Sequence, residues 1–206
     1  MSGAAPGWLP VLPAIATLLS ALAAGLYAFH TIRINREIAR MRATLDLIEK
    51  SESSEFYRDL TLTFQAAFAA RDEKKRVPHD KLLNPGTEEE FKQSMKVGFF
   101  LNHYELIASG FESGVLDKGF YASYIRGALV QDWKAVKGFV IKLRESNVGT
   151  HPTPETIYRQ FENLASEWGW EIDHEEKLRR KGRSEKQIAA ATRYFRKHKN
   201  KTRPPL

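Results

Sequence analysis

The sequence predicts an all-α protein in which an N-terminal transmembrane helix continues into a cytoplasmic helical bundle and ends in a basic C-terminal helix and tail. Three observations carry this. Residues 8–32 contain no Asp, Glu, Lys or Arg, and roughly 20 mostly apolar residues in a helix span a bilayer core. Beyond them, apolar residues recur every three or four positions between capping and turn residues. No run alternates cleanly enough to form a strand.

The order of charges makes the first helix an anchor. A cleaved signal puts basic residues before a short apolar core, whereas here nothing before Trp8 is basic and Arg33, Arg36, Arg40 and Arg42 follow the span at once. Since a basic flank stays cytoplasmic, residues 1–32 form a short external N-terminus and span, with roughly 170 residues inside. Trp8 at one end and Tyr27 with His30 at the other suit the two interfaces. Thr17, Ala21, Gly25 and Ala28 make a stripe of small residues, either a face for close helix pairing or a by-product of an alanine-rich segment. The span has no acid, Lys or Arg, so no ion path through it is expected.

The part after the span, in a chain 42% hydrophobic and 11% aromatic, is long enough for one sizeable core. Absence of cysteine excludes disulfides, thiolate metal sites and thiol nucleophiles, and agrees with a reducing compartment. The net charge of +7 is unevenly spread. From Lys177 to Arg203 there are 12 Lys or Arg and one acid, Glu185, so this tail carries +11 and the remainder −4. A partner for positive charge is sought there.

After the span, Ile34, Ile38, Met41, Leu45 and Ile48 form an a/d seam two heptads long, on a helix without Gly or Pro. The seam pairs with a second copy or packs on its own domain. Residues 52–70 continue helically with Phe56, Leu60, Phe64, Ala67 and Phe68 on one side, and a turn follows at Asn84-Pro85-Gly86. Thr87 and Glu90 make a capping box for a helix over 88–109, with Phe91, Val97, Leu101, Tyr104, Ile107, Ala108 and Phe111 inward. Asp117 caps the next helix, 118–144, whose stripe is Tyr121, Ile125, Ala128, Leu129, Trp133, Val136, Val140 and Leu143. Thr153-Pro154 opens a helix with Ile157, Phe161, Leu164 and Trp168 on one face, stopped by Gly169. The bundle therefore occupies 33–169, and 170–206 is an acidic, then basic, tail.

Three ordered stretches carry a resemblance: ATLDLIEK at 43–50, LNHYELIASGFESGVLD at 101–117 followed by Phe120 and Tyr121, and LVQDWKAVKGFV at 129–140. On these, residues 42–168 resemble a family of uncharacterised bacterial and prophage single-pass membrane proteins with a cytoplasmic domain of unknown function, DUF4760. The resemblance implies an all-helical domain at the bacterial inner membrane. It implies no activity, catalytic residue or cofactor, and links to defence-associated gene sets only a phage-exclusion expectation.

The most site-like cluster is His103, Glu105 and Asn102 on one helix, with Asp46 and Glu49 on the first and Asp132 and Trp133 on the third. A carboxylate beside a histidine can hold a metal or move protons. Yet His103 and Glu105 are two residues apart and face different sides of a helix, and buried pairing, such as Glu105 with the Trp133 indole, is the reading preferred over a catalytic or metal site. His151 and His174 read as isolated loop residues, and the acidic run Glu171, Asp173, Glu175 and Glu176 reads as a solvated face screening the tail. No P-loop, GxGxxG, GxSxG or HExxH is present, so neither a familiar enzyme nor a bound cofactor or metal is expected.

In the tail, Ser184 and Gln187 make a second capping box, and Ile188, Ala191 and Phe195 a thin apolar stripe. Arg179, Arg180, Lys181, Arg183, Arg193, Tyr194, Phe195, Arg196 and Lys197 suit the anionic inner leaflet, or nucleic-acid phosphates and bases, or remain a solvated end. The expected function is a membrane-anchored interaction domain that binds a protein partner or itself. A tethered nucleic-acid binder is the alternative, and a novel hydrolase using His103, Glu105 and Asp132 the third.

Overall fold

The computed structural model describes residues 11–69, 76–147 and 153–202, with side chains for 13–68, 76–147 and 153–194. The described residues contain no strand and seven α-helices: α1 Val11–Ser53, α2 Glu55–Phe64, α3 His79–Leu83, α4 Glu88–Glu112, α5 Lys118–Ser146, α6 Arg159–Arg180 and α7 Glu185–Thr202. The chain is all-α, as its periodicity dictates.

α1 runs unbroken for 43 residues, about 65 Å at 1.5 Å per residue. By length and composition it is apolar enough to cross a membrane. The bundle grips only its last turns, where Thr44 is fully buried and Leu47 and Ile48 pack on the core. The Thr44 hydroxyl donates to the Arg40 carbonyl at 2.8 Å and accepts the Asp117 N–H at 2.7 Å, tying α1 to the α4–α5 connection. The Tyr124 hydroxyl donates to Glu52, and the Ser51 hydroxyl lies 3.3 Å from His103 Nε2. These contacts join the long helix directly to α4 and α5.

The expected helix over 52–70 is broken at Ser54, which is extended at φ −86° and ψ 122° and starts α2. Its end widens into a π turn, Gln65–Ala69. That extra residue per turn turns Ala67 and Phe68 inward together with Phe64. Phe64 stacks on Phe100 at 4.2 Å, and Phe68 reaches Phe139 at 5.6 Å. Phe56, expected on the same side, is exposed.

α4, α5 and α6 form the centre. The caps are those the sequence specifies: Thr87 accepts the Glu90 N–H at 3.2 Å and Asp117 accepts the Phe120 N–H at 2.7 Å. Glu90 completes its corner differently from a reciprocal box, accepting from the Gly86 N–H and from Lys81. Val97, Phe100, Leu101, Tyr104, Ile107 and Ala108 of α4 meet Leu129, Val136 and Val140 of α5 and Phe161, Leu164 and Trp168 of α6. Two expected core positions are corrected: Phe91 and Ala128 are exposed, while Phe100 and Phe139 take core places.

α6 also differs from expectation. Pro154–Thr156 is a 3-10 turn, Tyr158 sits in the left-handed region at φ 55°, and the α-helix starts at Arg159. It does not stop at Gly169, whose Cα faces Val130, but at Gly182. Gly182 has φ 72°, its N–H reaches the Arg179 carbonyl at 2.9 Å, and the Arg183 N–H reaches Leu178 at 3.2 Å. This left-handed cap needs glycine. Ser184 and Gln187 then cap α7, which seats Ile188 and Thr192 against α6.

Candidate functional site

The residues of the sequence-derived cluster lie on three helices, Asn102, His103 and Glu105 on α4, Asp132 and Trp133 on α5 and Asp46 and Glu49 on α1, and those turned inward each have a structural task. Glu105 accepts the N–H groups of Gln160 and Phe161 at 3.1 and 2.8 Å. Because Tyr158, at the α6 N-terminus, supplies no side-chain cap, Glu105 caps that helix from α4, where a carboxylate also matches the positive end of the helix dipole. Its partner is thus backbone rather than the Trp133 indole. Trp133 instead packs edge-on to Phe161 at 5.1 Å.

Asp132 accepts the Tyr104 hydroxyl at 2.8 Å. Burial pushes the Asp132 carboxyl above its usual value, with the Tyr104 bond opposing, and burial followed by Asp132 raises the Tyr104 phenol. His103 lies against Tyr57 at 4.5 Å and beside Ser51, and burial holds it below the ordinary 6.5. Asp46 and Glu49 are exposed on α1. No three His, Asp or Glu among the described residues are grouped to hold a metal. His103, Glu105 and Asp132 therefore engage three different neighbours, Ser51, the α6 N-terminus and Tyr104.

A neutral His103 makes a sign-definite expectation. Its folded pKa is below its unfolded value, so the unfolded chain binds the extra proton and stability is lost as pH falls below about 6.5. His79, between Phe68 and Phe139, is lowered by burial first and Lys142 second, with Asp80 opposing, and acts in the same direction. Urea midpoints between pH 7.5 and 5.5 are expected to fall, less steeply in H103Q; an unchanged slope in H103Q contradicts the assignment.

The acidic run is only half the solvated face expected of it: Asp173 and Glu176 are exposed, whereas Glu171 and Glu175 turn inward. Glu171 is 1% exposed and accepts from Arg126 at 3.2 Å, while Glu175 takes both Arg126 terminal nitrogens at 3.0 and 2.7 Å. This fork fixes α5 to α6, and the Thr192 hydroxyl reaches Glu175 at 3.4 Å from α7. His174 is in α6, stacked on Trp170 at 4.7 Å, rather than in a loop. His151 lies outside the described residues.

In the tail, Arg179 pairs with Glu185 at 3.0 Å and Arg180 with Glu176 at 2.8 Å. Lys181, Arg183, Arg193 and Tyr194 are exposed. The side chains of Phe195, Arg196 and Lys197 lie outside the described ones. An open cleft of about 440 Å³ between α4 and α6 is bordered by the Lys118–Glu167 ion pair at 2.8 Å; sequence reading missed it, since Lys118 and Glu167 carry no motif.

A surface the periodicity concealed lies on the outward side of α4. Phe91, Met95, Phe99 and Leu106 recur at four, four and seven residues, directly opposite the core face, and all are exposed, Phe91 to 53% and Phe99 to 45%. Phe56 of α2 joins them, 6.2 Å from Phe99. α4 is therefore apolar on two opposite faces, one buried and one open.

These features define an all-helical bundle fixed to the end of one long helix whose first half is apolar. The chain belongs to the family described as a domain of unknown function, DUF4760, which matches residues 18–168. The match begins within the apolar half of α1 and ends at Trp168, leaving the rest of α6 and α7 beyond it. No curated protein and no solved structure matches the chain.

Proposed function

We propose that the chain is an interaction protein anchored in a bacterial inner membrane, whose cytoplasmic bundle binds a protein partner through the outward face of α4. The observation that carries this reading is the exposed stripe Phe56, Phe91, Met95, Phe99 and Leu106. Five large apolar side chains exposed along one side of α4 and the adjoining start of α2 make a surface for recognition of a protein partner. The basic residues after Arg33 support the cytoplasmic side, and the rigid attachment of α1 through Thr44, Ser51 and Glu52 holds the stripe at a set distance from the bilayer. A role in excluding phage fits an anchored binder but has no residue of its own. Against a nucleic-acid surface stands the pairing of Arg179 and Arg180 with acids of α6 and α7. Against a hydrolase stands the engagement of Glu105 and Asp132 in helix capping and core bonding.

The test is crosslinking of the full-length protein in its membrane, followed by identification of what is captured. F99E and M95E, both at exposed positions, are expected to reduce capture of a specific protein at least tenfold, the effect of losing a central apolar contact worth more than 1.4 kcal/mol. Undiminished capture by both variants refutes the α4 surface. Recovery of nucleic acid that is lost in K181Q/R183Q/R193Q puts the function in the tail instead.

A further inference from the structure

We infer that α1 is a parallel dimerisation helix, and that the occupant of its open face is α1 of a second copy. The inference rests on the membrane anchorage proposed above, but not on the α4 surface. The seam expected at Ile34, Ile38, Met41, Leu45 and Ile48 is divided by the fold. Ile48 turns into the bundle, whereas Ile34, Ile38, Met41 and Leu45 are 41 to 52% exposed. The bundle approaches α1 from another side, where Phe29, Ile32, Arg33, Arg36, Ala39 and Arg40 line a groove against Gly114.

Because α1 is continuous from Val11 to Ser53, the seam can be followed upward on one helix. The same spacing of three and four passes through Thr31, Tyr27, Ala24, Ser20 and Thr17. The Thr17, Ala21, Gly25, Ala28 stripe lies elsewhere: apart from Thr17, it is roughly a quarter of a turn away from the seam on the same helix. Along this face the chemistry changes at the first charge, Arg33. Above it stand small and hydroxyl residues, with Tyr27 at headgroup level; below it stand Ile, Ile, Met and Leu. Each is what a helix pair needs in its own solvent: close backbone approach in lipid, apolar side chains in water. The two heptads below the membrane are short for a coiled coil, but the full face spans roughly four.

The partner must change from small to apolar side chains at the same height and run in the same direction. A second copy, held at the same depth by the same span, meets both conditions. The flanking charges agree. In a parallel pair the g position faces the e position five residues on in the partner helix. Glu37 is at g and Arg42 at e, both exposed, so two symmetric Glu37–Arg42 pairs form across the seam.

The chain has no cysteine, so single cysteines can be introduced one at a time into the full-length protein in lipid vesicles. Oxidation is expected to give crosslinked dimer at Ile38, Met41, Leu45, Ala24 and Thr31, with a loss of crosslinking at Arg36, Ala39 and Ala43. Equal yields at all eight positions, or none at the seam, overturn the inference. E37R is expected to reduce the M41C dimer severalfold and E37R/R42E to restore it; a double variant no better than E37R overturns the parallel register. All the substituted side chains are exposed apart from half-buried Thr31 and Ala43, so the bundle is left intact. Periodic crosslinking together with partner capture indifferent to F99E and M95E leaves the dimer standing and removes the α4 reading. The converse pattern removes the dimer alone.

Discussion

Replacing Phe161 by alanine lowers the stability of the bundle by about 4 kcal/mol, within the range of Phe to Ala changes in a packed core. Phe161 is fully buried at the first turn of α6, 4.8 Å from the Tyr104 ring and 5.1 Å from Trp133. Its removal leaves a cavity lined by three helices that cannot all move inward, because Tyr104 is also held by Asp132 and the Phe161 N–H by Glu105. The denaturant midpoint of the full chain in micelles measures the loss. Trp133 fluorescence is expected to shift red, since its apolar neighbour is gone. The adjacent variant E105A removes the α6 cap while leaving the core filled, and is expected to cost less, about 1–2 kcal/mol. A larger loss in E105A than in F161A contradicts the assignment of Glu105 as a cap.

R126A is expected to cost about 3 kcal/mol, the lower part of the range for breaking a buried ion pair because Arg126 itself is partly exposed. It removes the guanidinium from a carboxylate, Glu171, that the packing of α5 on α6 does not release to water. The pH dependence carries the signature. In the native chain burial raises Glu175, but the Arg126 hydrogen bond and charge outweigh it and hold it below the usual carboxylate value. That contribution is present above the unfolded value and is lost as pH falls through the folded one. Without Arg126, burial of Glu175 is still opposed by Arg179 and the Thr192 hydroxyl but no longer by the guanidinium, so its folded value rises and the deficit of R126A shrinks as pH falls toward 5. R126A/E171Q is expected to recover part of the loss at neutral pH. A deficit independent of pH assigns the effect to lost packing of the arginine stem instead.

The caps show how much was legible before folding. Thr87, Asp117 and Ser184 make local bonds to N–H groups three residues on, so spacing alone places them. The α6 N-terminus was misplaced because its cap, Glu105, comes from more than 50 residues away and leaves no local pattern. Gly169 and Gly182 both look like stops, yet only the second has left-handed backbone, and α6 holds Glu171 and Glu175 against Arg126 beyond the first. The adjacent pair Phe99 and Phe100 is similar: either fits a helical stripe, and contact with Phe64 and Tyr104 selects Phe100.

The candidate site was legible as a set of polar residues but not as a set of contacts. His103, Glu105 and Asp132 stand out in the sequence as polar groups, but their partners come from α1, α6 and α4 respectively and leave no local pattern. The exposed α4 stripe escaped notice because apolar residues on both faces of one helix leave no single periodic side.

By itself the sequence determined the helical class, the long apolar first helix and the capped starts of α4, α5 and α7, because these depend on intervals of three to four residues along one chain. Only the tertiary structure decided which apolar faces are covered, which acids of the run at 171–176 turn inward and which end of α1 the bundle grips. Those outcomes depend on which helix meets which across long sequence separations, and burial of a face is a property of the pair rather than of either segment.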